Sequence, residues 1–267
     1  MAPLPVTSRS LVLDCRAMPR GMLIAFEGID GAGKRTQITR LAAALSARGI
    51  PAETISFPVY DSFMGRLIER YLAGEFGPLE QVDPHFSAML FANDRLMQKE
   101  RVIRALESGK TLLLDRYVAS NLAHQGSRVP AGSRGAFLDW LRKLEYTANE
   151  LPREDLVLYL RIEPAEAQER MQLRRGGSGK GGDLHESDAQ HLTAAASQYD
   201  ELARGENWIT IDCYEPASGQ ARKPDEIHAL VMAAVDVRLA RFRALQALGA
   251  VPQNAEAGGA DPEKEES

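Results

Sequence analysis

The sequence predicts an α/β fold, a doubly wound parallel sheet of five strands flanked by helices, and two observations carry that prediction. Short β-branched or leucine-rich runs alternate with longer amphipathic stretches from about residue 22 to residue 249, which is the pattern of successive βαβ units. A glycine-rich turn, GIDGAGKRTQ from Gly28 to Gln37, closes the first of those runs and opens a helical stretch. Ligands of parallel sheets gather at such strand-to-helix junctions.

The first strand is expected over 22–28, MLIAFEG, an almost continuous apolar run of the kind buried on both faces. A helix follows over 34–48 and stops at Arg48-Gly49, with Pro51 beyond. AETISF (52–57) is the second strand, and helices are expected over 62–73 and 83–107. TLLLD (111–115) is a third strand that ends on an acid. A helix over 133–148 precedes the fourth strand, LVLYLRI (156–162), and helices over 164–174 and 187–203 lead to the fifth, WITID (208–212). A last helix is expected over 225–248. Between two of these helices, RRGGSGKGGDLHE (174–186) interrupts the rhythm. Its glycines supply backbone freedom, so it reads as a mobile loop within a single domain spanning 22–249.

The ends read differently. Residues 1–21 carry Arg9, Arg16 and Arg20 against one Asp14, a faint likeness to a transit peptide. The plainer reading is a flexible extension, or a start at Met18 or Met22, and a cytoplasmic location is expected. Residues 250–267 are acidic and lack aromatics, as a disordered tail would. A formal net charge of −5 argues against a general nucleic-acid binder. Cys15 and Cys213 give neither a disulfide framework nor metal-ligand spacing. No apolar run approaches the ~18 residues that a membrane span needs.

The turn after the first strand satisfies Gly-x-x-x-x-Gly-Lys through Gly28, Gly33 and Lys34, but Arg35 stands where a metal-binding hydroxyl belongs. Backbone N–H groups of such a turn and the helix N-terminus converge on one anion, and Lys34 adds a charge. Asp115 closes the third strand at the sheet edge where ligands collect, so it can hold Mg²⁺ through water while Arg116 faces a phosphate. The bland alternative is that Asp115 caps the next helix and Arg116 pairs with a surface carboxylate.

FEGIDGAGKRTQ, SFPVYDSFMGRLIERYLAGEFG, FANDR, LLLDRYVASNLAHQG and LEYTANELPREDLVLYLRI, in this order and spacing, together resemble the thymidylate kinase family over about Met22 to Cys213. The resemblance implies a P-loop kinase core with a mobile lid that transfers the γ-phosphate of ATP to dTMP, in dTTP synthesis, with Mg²⁺ as cofactor. ATP would lie on Gly28, Ile29, Asp30, Gly31, Ala32, Gly33, Lys34, Arg35 and Thr36. Phe57 and Tyr60 would frame the acceptor, and Asp30 would face the deoxyribose 3′-hydroxyl and the transferring phosphate. Phe91 would stack on thymine, Arg95 would hydrogen-bond its carbonyl, and Arg116 would hold the acceptor phosphate. Ser120, Asn121 and Gln125 would line the base and sugar.

Where some members place an arginine inside the phosphate loop, Gly31 and Ala32 are neutral, so the resemblance moves that charge to Arg174 or Arg175 of the lid. Lys34, Asp30 and Arg116 complete the expected catalytic set, with Asp115 as metal ligand. Arg35 would neutralise charge that a hydroxyl-bound Mg²⁺ otherwise neutralises, and His124 stands where the family often has Tyr. Expected partners are ATP and dTMP, with no nucleic acid and no membrane. A homodimer is a further expectation, because Met89, Leu90, Leu96 and Ile103 could give the 83–107 helix an apolar face, although the same stripe would serve equally as core.

Overall fold

The computed structural model describes residues 20–175, 189–215 and 217–249. The five expected strands form, as β1 (Leu23–Glu27), β2 (Ala52–Ser56), β3 (Thr111–Asp115), β4 (Leu156–Arg161) and β5 (Trp208–Asp212). They pair in parallel in the order β2-β3-β1-β4-β5. The helices are α1 (Lys34–Ala47), α2 (Phe63–Leu72), α3 (Pro84–Met97), α4 (Lys99–Glu107), α5 (Val118–Gly126), α6 (Ala131–Arg142), α7 (Pro164–Arg175), α8 (Ala189–Leu202) and α9 (Pro224–Ala247).

Side chains of β1 alternate between two cores, as the pleat requires. Ile24 and Phe26 pack with Ile38, Leu41 and Leu45 of α1 and with Val231 and Val235 of α9. Leu23 and Ala25 pack on the other face with Val102 and Leu106 of α4, Leu122 of α5 and Leu141 of α6. Burial on both faces is what turns MLIAFEG into a central strand, and each large aliphatic or aromatic side chain so buried contributes roughly 1.5–3 kcal/mol.

The sheet order puts β1 and β3 side by side at the centre, but the chain leaves them in opposite directions. From β1 it crosses to β2 at one edge, and from β3 it crosses to β4 on the far side of β1. The two departing loops diverge and leave a crevice at the carboxyl ends of the strands.

Four expectations need correction. The 83–107 helix is two helices, α3 and α4, meeting at Gln98, whose ψ of 0° interrupts the winding. The 133–148 helix starts two residues early and ends in a wider π turn over Lys143–Ala148. Helix α5 has no span among those expected: every residue from Val118 to Gly126 is buried, so no polar face marks it in the sequence. Arg20 and Gly21 are docked and do not belong to a flexible extension. Arg20 donates to both oxygens of Asp155, Gln246 donates to its carbonyl, and Gly21 lies so close to Lys110 that a Cβ there would meet the Lys110 carbonyl oxygen at 1.7 Å. Residues 250–267 and most of the 174–186 loop lie outside the described residues.

Candidate active site

The phosphate loop runs from β1 into α1. Gly28 has φ 134°, and a Cβ on it would stand 2.6 Å from the Leu160 carbonyl oxygen of β4. Gly33, at φ 89°, caps α1 from the left-handed region with no side-chain acceptor competing for the helix N–H groups. Ile29 and Ala32 are anchored in the core, so only the backbone of the loop and its charged members face the crevice. Lys34 is buried and its Nζ donates to the carbonyls of Gly28 (2.9 Å) and Ile29 (3.0 Å). Burial, then the neighbouring Arg116, pulls its pKa down to about 8, against the pull of Asp30, Asp115 and Glu27. Arg35 and Thr36 are exposed on the first turn, and Arg35 makes no ion pair among the described residues.

Arg116 joins this loop to the acceptor side. It sits at φ 67°, a left-handed conformation that a non-glycine residue adopts only where its surroundings hold it. Its Nη2 donates to Asp30 Oδ1 at 2.6 Å, and its Nη1 reaches the Gly28 carbonyl (3.3 Å) and Ser120 Oγ (3.1 Å). Burial opposes ionisation of Asp30, but Arg116 foremost, then Lys34, hold its carboxyl well below the usual carboxylate range. Arg116 is thus paired within the loop, not with a surface carboxylate. Nor does Asp115 cap the next helix. The N-terminus of α5 is satisfied by Glu27 of the neighbouring strand, which accepts from the N–H groups of Tyr117 (2.7 Å) and Ser120 (3.2 Å).

Beside Arg116 lies a pocket lined by Asp30, Phe57, Tyr60, Phe91, Arg95, Arg116, Ser120, Asn121 and Gln125, together with Pro58, Leu72 and His124. Every residue expected against the acceptor nucleotide is therefore in one place, drawn from the loops after β1, β2 and β3 and from α3 and α5. Phe91 is half-buried and meets Tyr71 edge-on at 6.2 Å, Phe57 is buried 6.0 Å from Tyr117, and Tyr60 is exposed.

Arg95, only 2% exposed, is held by a carboxylate that sequence reasoning did not assign. Its Nε donates to Glu145 Oε2 at 3.1 Å and its Nη2 to Glu145 Oε1, and Glu145 is 0% exposed. Burial works against the Arg95 charge, but Glu145 more than compensates and raises its pKa. The π turn over Lys143–Ala148 delivers Glu145 to this position. Asn121 donates through Nδ2 to the Ala88 carbonyl and to Glu145 Oε1, both at 2.9 Å, while its Oδ1 is buried without a partner. Both Nδ2 contacts are acceptors, which fixes the amide orientation. Gln125 Oε1 accepts from Ser87 and Arg128, each at 2.8 Å.

Glu27 and its partner Tyr199 also went unassigned. Glu27 is 0% exposed and its Oε2 accepts from Ser120 Oγ (2.6 Å) and Tyr199 Oη (2.9 Å), which ties α8 to the start of α5. In the sequence both buried glutamates look like ordinary charged residues. Only LEYTANELP, already part of the quoted resemblance, pointed near Glu145. Arg174 and Arg175 close α7, their side chains are not among the described residues, and Lys180 lies outside them as well. Among the described residues no helix is long and apolar enough to cross a membrane.

The family model "Thymidylate kinase" matches residues 26–222. The thymidylate kinase of Mycobacterium tuberculosis is 33% identical over 195 residues, 71% of this chain and 91% of that protein. The human thymidylate kinase is 36% identical over 58% of this chain and 67% of its own length. Among solved structures, the thymidylate kinase from Candida albicans superimposes with a TM-score of 0.65 over 82% of this chain and 92% of that one. At 22% identity it speaks for the fold. With the phosphate loop and the pocket facing one crevice, and the family model matching most of the residues that build both, the chain belongs to the thymidylate kinase family.

Proposed function

We propose that this thymidylate kinase passes the γ-phosphate of ATP in line to the phosphate of dTMP, giving dTDP and ADP, with the acceptor in the pocket between the loops after β1 and β3. One observation carries the base assignment. Asn121 Oδ1 is a buried acceptor without a partner, and in the same pocket Arg95 keeps Nη1 free of the Glu145 pair. An acceptor and a donor in one pocket suit the N3–H and a carbonyl of thymine once the base displaces what covers Oδ1. Cytosine would set an acceptor against Oδ1 and an amino group against the guanidinium, at a cost of about 1–3 kcal/mol. Phe91 supplies the aromatic face.

Arg116 is the acceptor-phosphate ligand in this reading, and the backbone cradle with Lys34 receives the phosphates of ATP. Asp30 orients Arg116 and faces the sugar 3′-hydroxyl. Arg174 or Arg175 meets the transferring group, where charge neutralisation acts mainly in the closed complex. The acceptor is already an anion, so the step needs no general base.

Among the described residues, the end of β3 suits Mg²⁺. Asp115 is half-buried at the end of β3, makes no side-chain hydrogen bond among the described residues, and lies within electrostatic reach of Lys34 and Arg116. Among the described residues there is no cluster of three metal-ligating acids, histidines or cysteines. One open carboxylate is what a cation held mainly by phosphates and water requires. Asp115 would hold it, and when bound it supplies charge neutralisation at the phosphate oxygens.

Exposed Phe86, Met89, Leu96 and Met97 on α3 support a homodimer through that helix, while Leu90 turns into the core. A cytoplasmic setting is part of this reading, and buried Cys213 has no disulfide partner among the described residues. The test of the activity is ADP release with a panel of monophosphates. dTMP should be turned over far faster than dCMP, dGMP or dAMP, and equal rates across the panel would refute the base assignment.

A further inference from the structure

We propose that His191, on α8, is a positioning residue for the acceptor site, acting through the ring tautomer of His124 on Arg116. The proposal rests on Arg116 as the ligand of the acceptor phosphate. His124 and His191 are both buried. His124 Nε2 lies 3.3 Å from Arg116 Nη1, and His124 Nδ1 lies 3.3 Å from His191 Nε2.

The polarity of this chain follows from its first member. A guanidinium has only donors, so the His124 nitrogen facing it must present its lone pair. This holds although Arg116 Nη1 shares its two hydrogens among His124, Ser120 and the Gly28 carbonyl, because a proton on Nε2 would point an N–H at a cation. Neutral His124 must then carry its proton on Nδ1 and donate it to His191 Nε2. His191 in turn must hold its own proton on Nδ1. Each ring has one allowed tautomer, and His191 supplies the acceptor that selects it for His124.

The groups around His124 raise the stakes of that choice. Arg116 comes from the loop after β3 and Asp30 from the loop after β1, while Tyr199 of α8 stands edge-on at 5.9 Å. Glu27 anchors Tyr199 and Ser120 behind them. Without an acceptor on α8, His124 is free to put its proton on Nε2. Arg116 then loses one of its supports and meets an N–H dipole head-on, and its hold on the acceptor phosphate weakens. The kinetic signature is a loss of acceptor binding with turnover largely retained.

Two substitutions separate this role from simple packing. In His191→Ala the acceptor is gone, whereas in His191→Gln an amide oxygen can accept from His124 Nδ1. Loss of one hydrogen bond of about 1 kcal/mol predicts a rise of roughly 3–10-fold in the KM for dTMP in His191→Ala, with kcat within about twofold. His191→Gln should return KM to within about twofold of the parent. Nitrogen-15 NMR of the histidine rings should show His124 protonated on Nδ1 in the parent and in His191→Gln, and a mixture in His191→Ala. An Nε2-protonated His124 in the parent, or equal KM values in all three proteins, would overturn the proposal. So would rises in KM that track losses of melting temperature in both variants, since that is what packing alone produces. Parent turnover of a different monophosphate would refute the acceptor assignment, while the ring tautomer would still decide this one.

Discussion

In the acceptor pocket the polar groups that recognise the base are buried and already bonded to neighbouring residues, whereas the phosphate loop buries Lys34 but leaves Arg35 and Thr36 to solvent. Arg95, Asn121 and Gln125 each spend part of their hydrogen-bonding capacity on Glu145, Ala88, Ser87 or Arg128, which leaves few and fixed valences for a ligand. On the loop side Arg35 and Thr36 are exposed, and the cradle is made by Gly28, Gly33 and the first turn of α1. The difference follows from the ligands. A base is told apart by the placement of neutral donors and acceptors, which needs rigid partners, while a polyphosphate is held by convergent positive potential, which tolerates movement. Arg116 stands on the boundary and is bound from both sides.

If that contrast is right, truncation in the pocket should damage the fold as well as binding. Arg95→Ala strands the Glu145 carboxylate in a fully buried position, at a cost of about 3–5 kcal/mol. The melting temperature should fall steeply, and dTMP affinity should fall even well below the melting point. A variant as stable as the parent would break the comparison, because the pocket would then not depend on its internal pairs.

The transfer side should respond in turnover instead. Changing Arg174 and Arg175 to Ala together should lower kcat by at least ~10-fold with dTMP binding much less affected. A rise confined to the KM for dTMP would make these arginines substrate-capture groups and remove their catalytic role.

Lys34 sharpens the contrast by pH. Its ammonium is the form that attracts ATP, and its pKa is pulled below the usual lysine value to about 8. The charge is therefore present below about pH 8 and lost as pH rises through that value. Since kcat/KM reports the free enzyme, the value for ATP should decline toward tenfold per pH unit on the alkaline side. A profile flat to about pH 10 would show that Lys34 stays charged in the free protein and that burial does not control this loop.

The smallest effect is expected at Arg35. Arg35→Ala should reduce kcat/KM for ATP several-fold, by loss of an exposed cation near polyphosphate. Arg35→Thr restores a hydroxyl at the first helical turn, so it should recover activity and shift the Mg²⁺ requirement. Superimposable Mg²⁺ titrations for the three proteins would make Arg35 a bystander in solvent.

By itself, the sequence determined the sheet and the acceptor side. Five β-branched or leucine-rich runs gave the five strands to within a residue or so at each end: the inner strands β1, β3 and β4 are buried and need a continuous apolar stretch, while the edge strands β2 and β5 are marked by their β-branched residues. Ordered motifs named the pocket residues, whose chemistry depends on residue type and order along the chain. Helix α5 escaped because burial on all sides erased its periodicity, and the break at Gln98 escaped because apolar spacing runs through it. The tertiary structure alone decided what holds the site together. Glu145 meets Arg95 from 50 residues away and Tyr199 meets Glu27 from 172 residues away. A carboxylate reads as surface in sequence unless its distant partners are known. Folding brings those partners into a place without water, where an ion pair or a tautomer acquires a single workable arrangement.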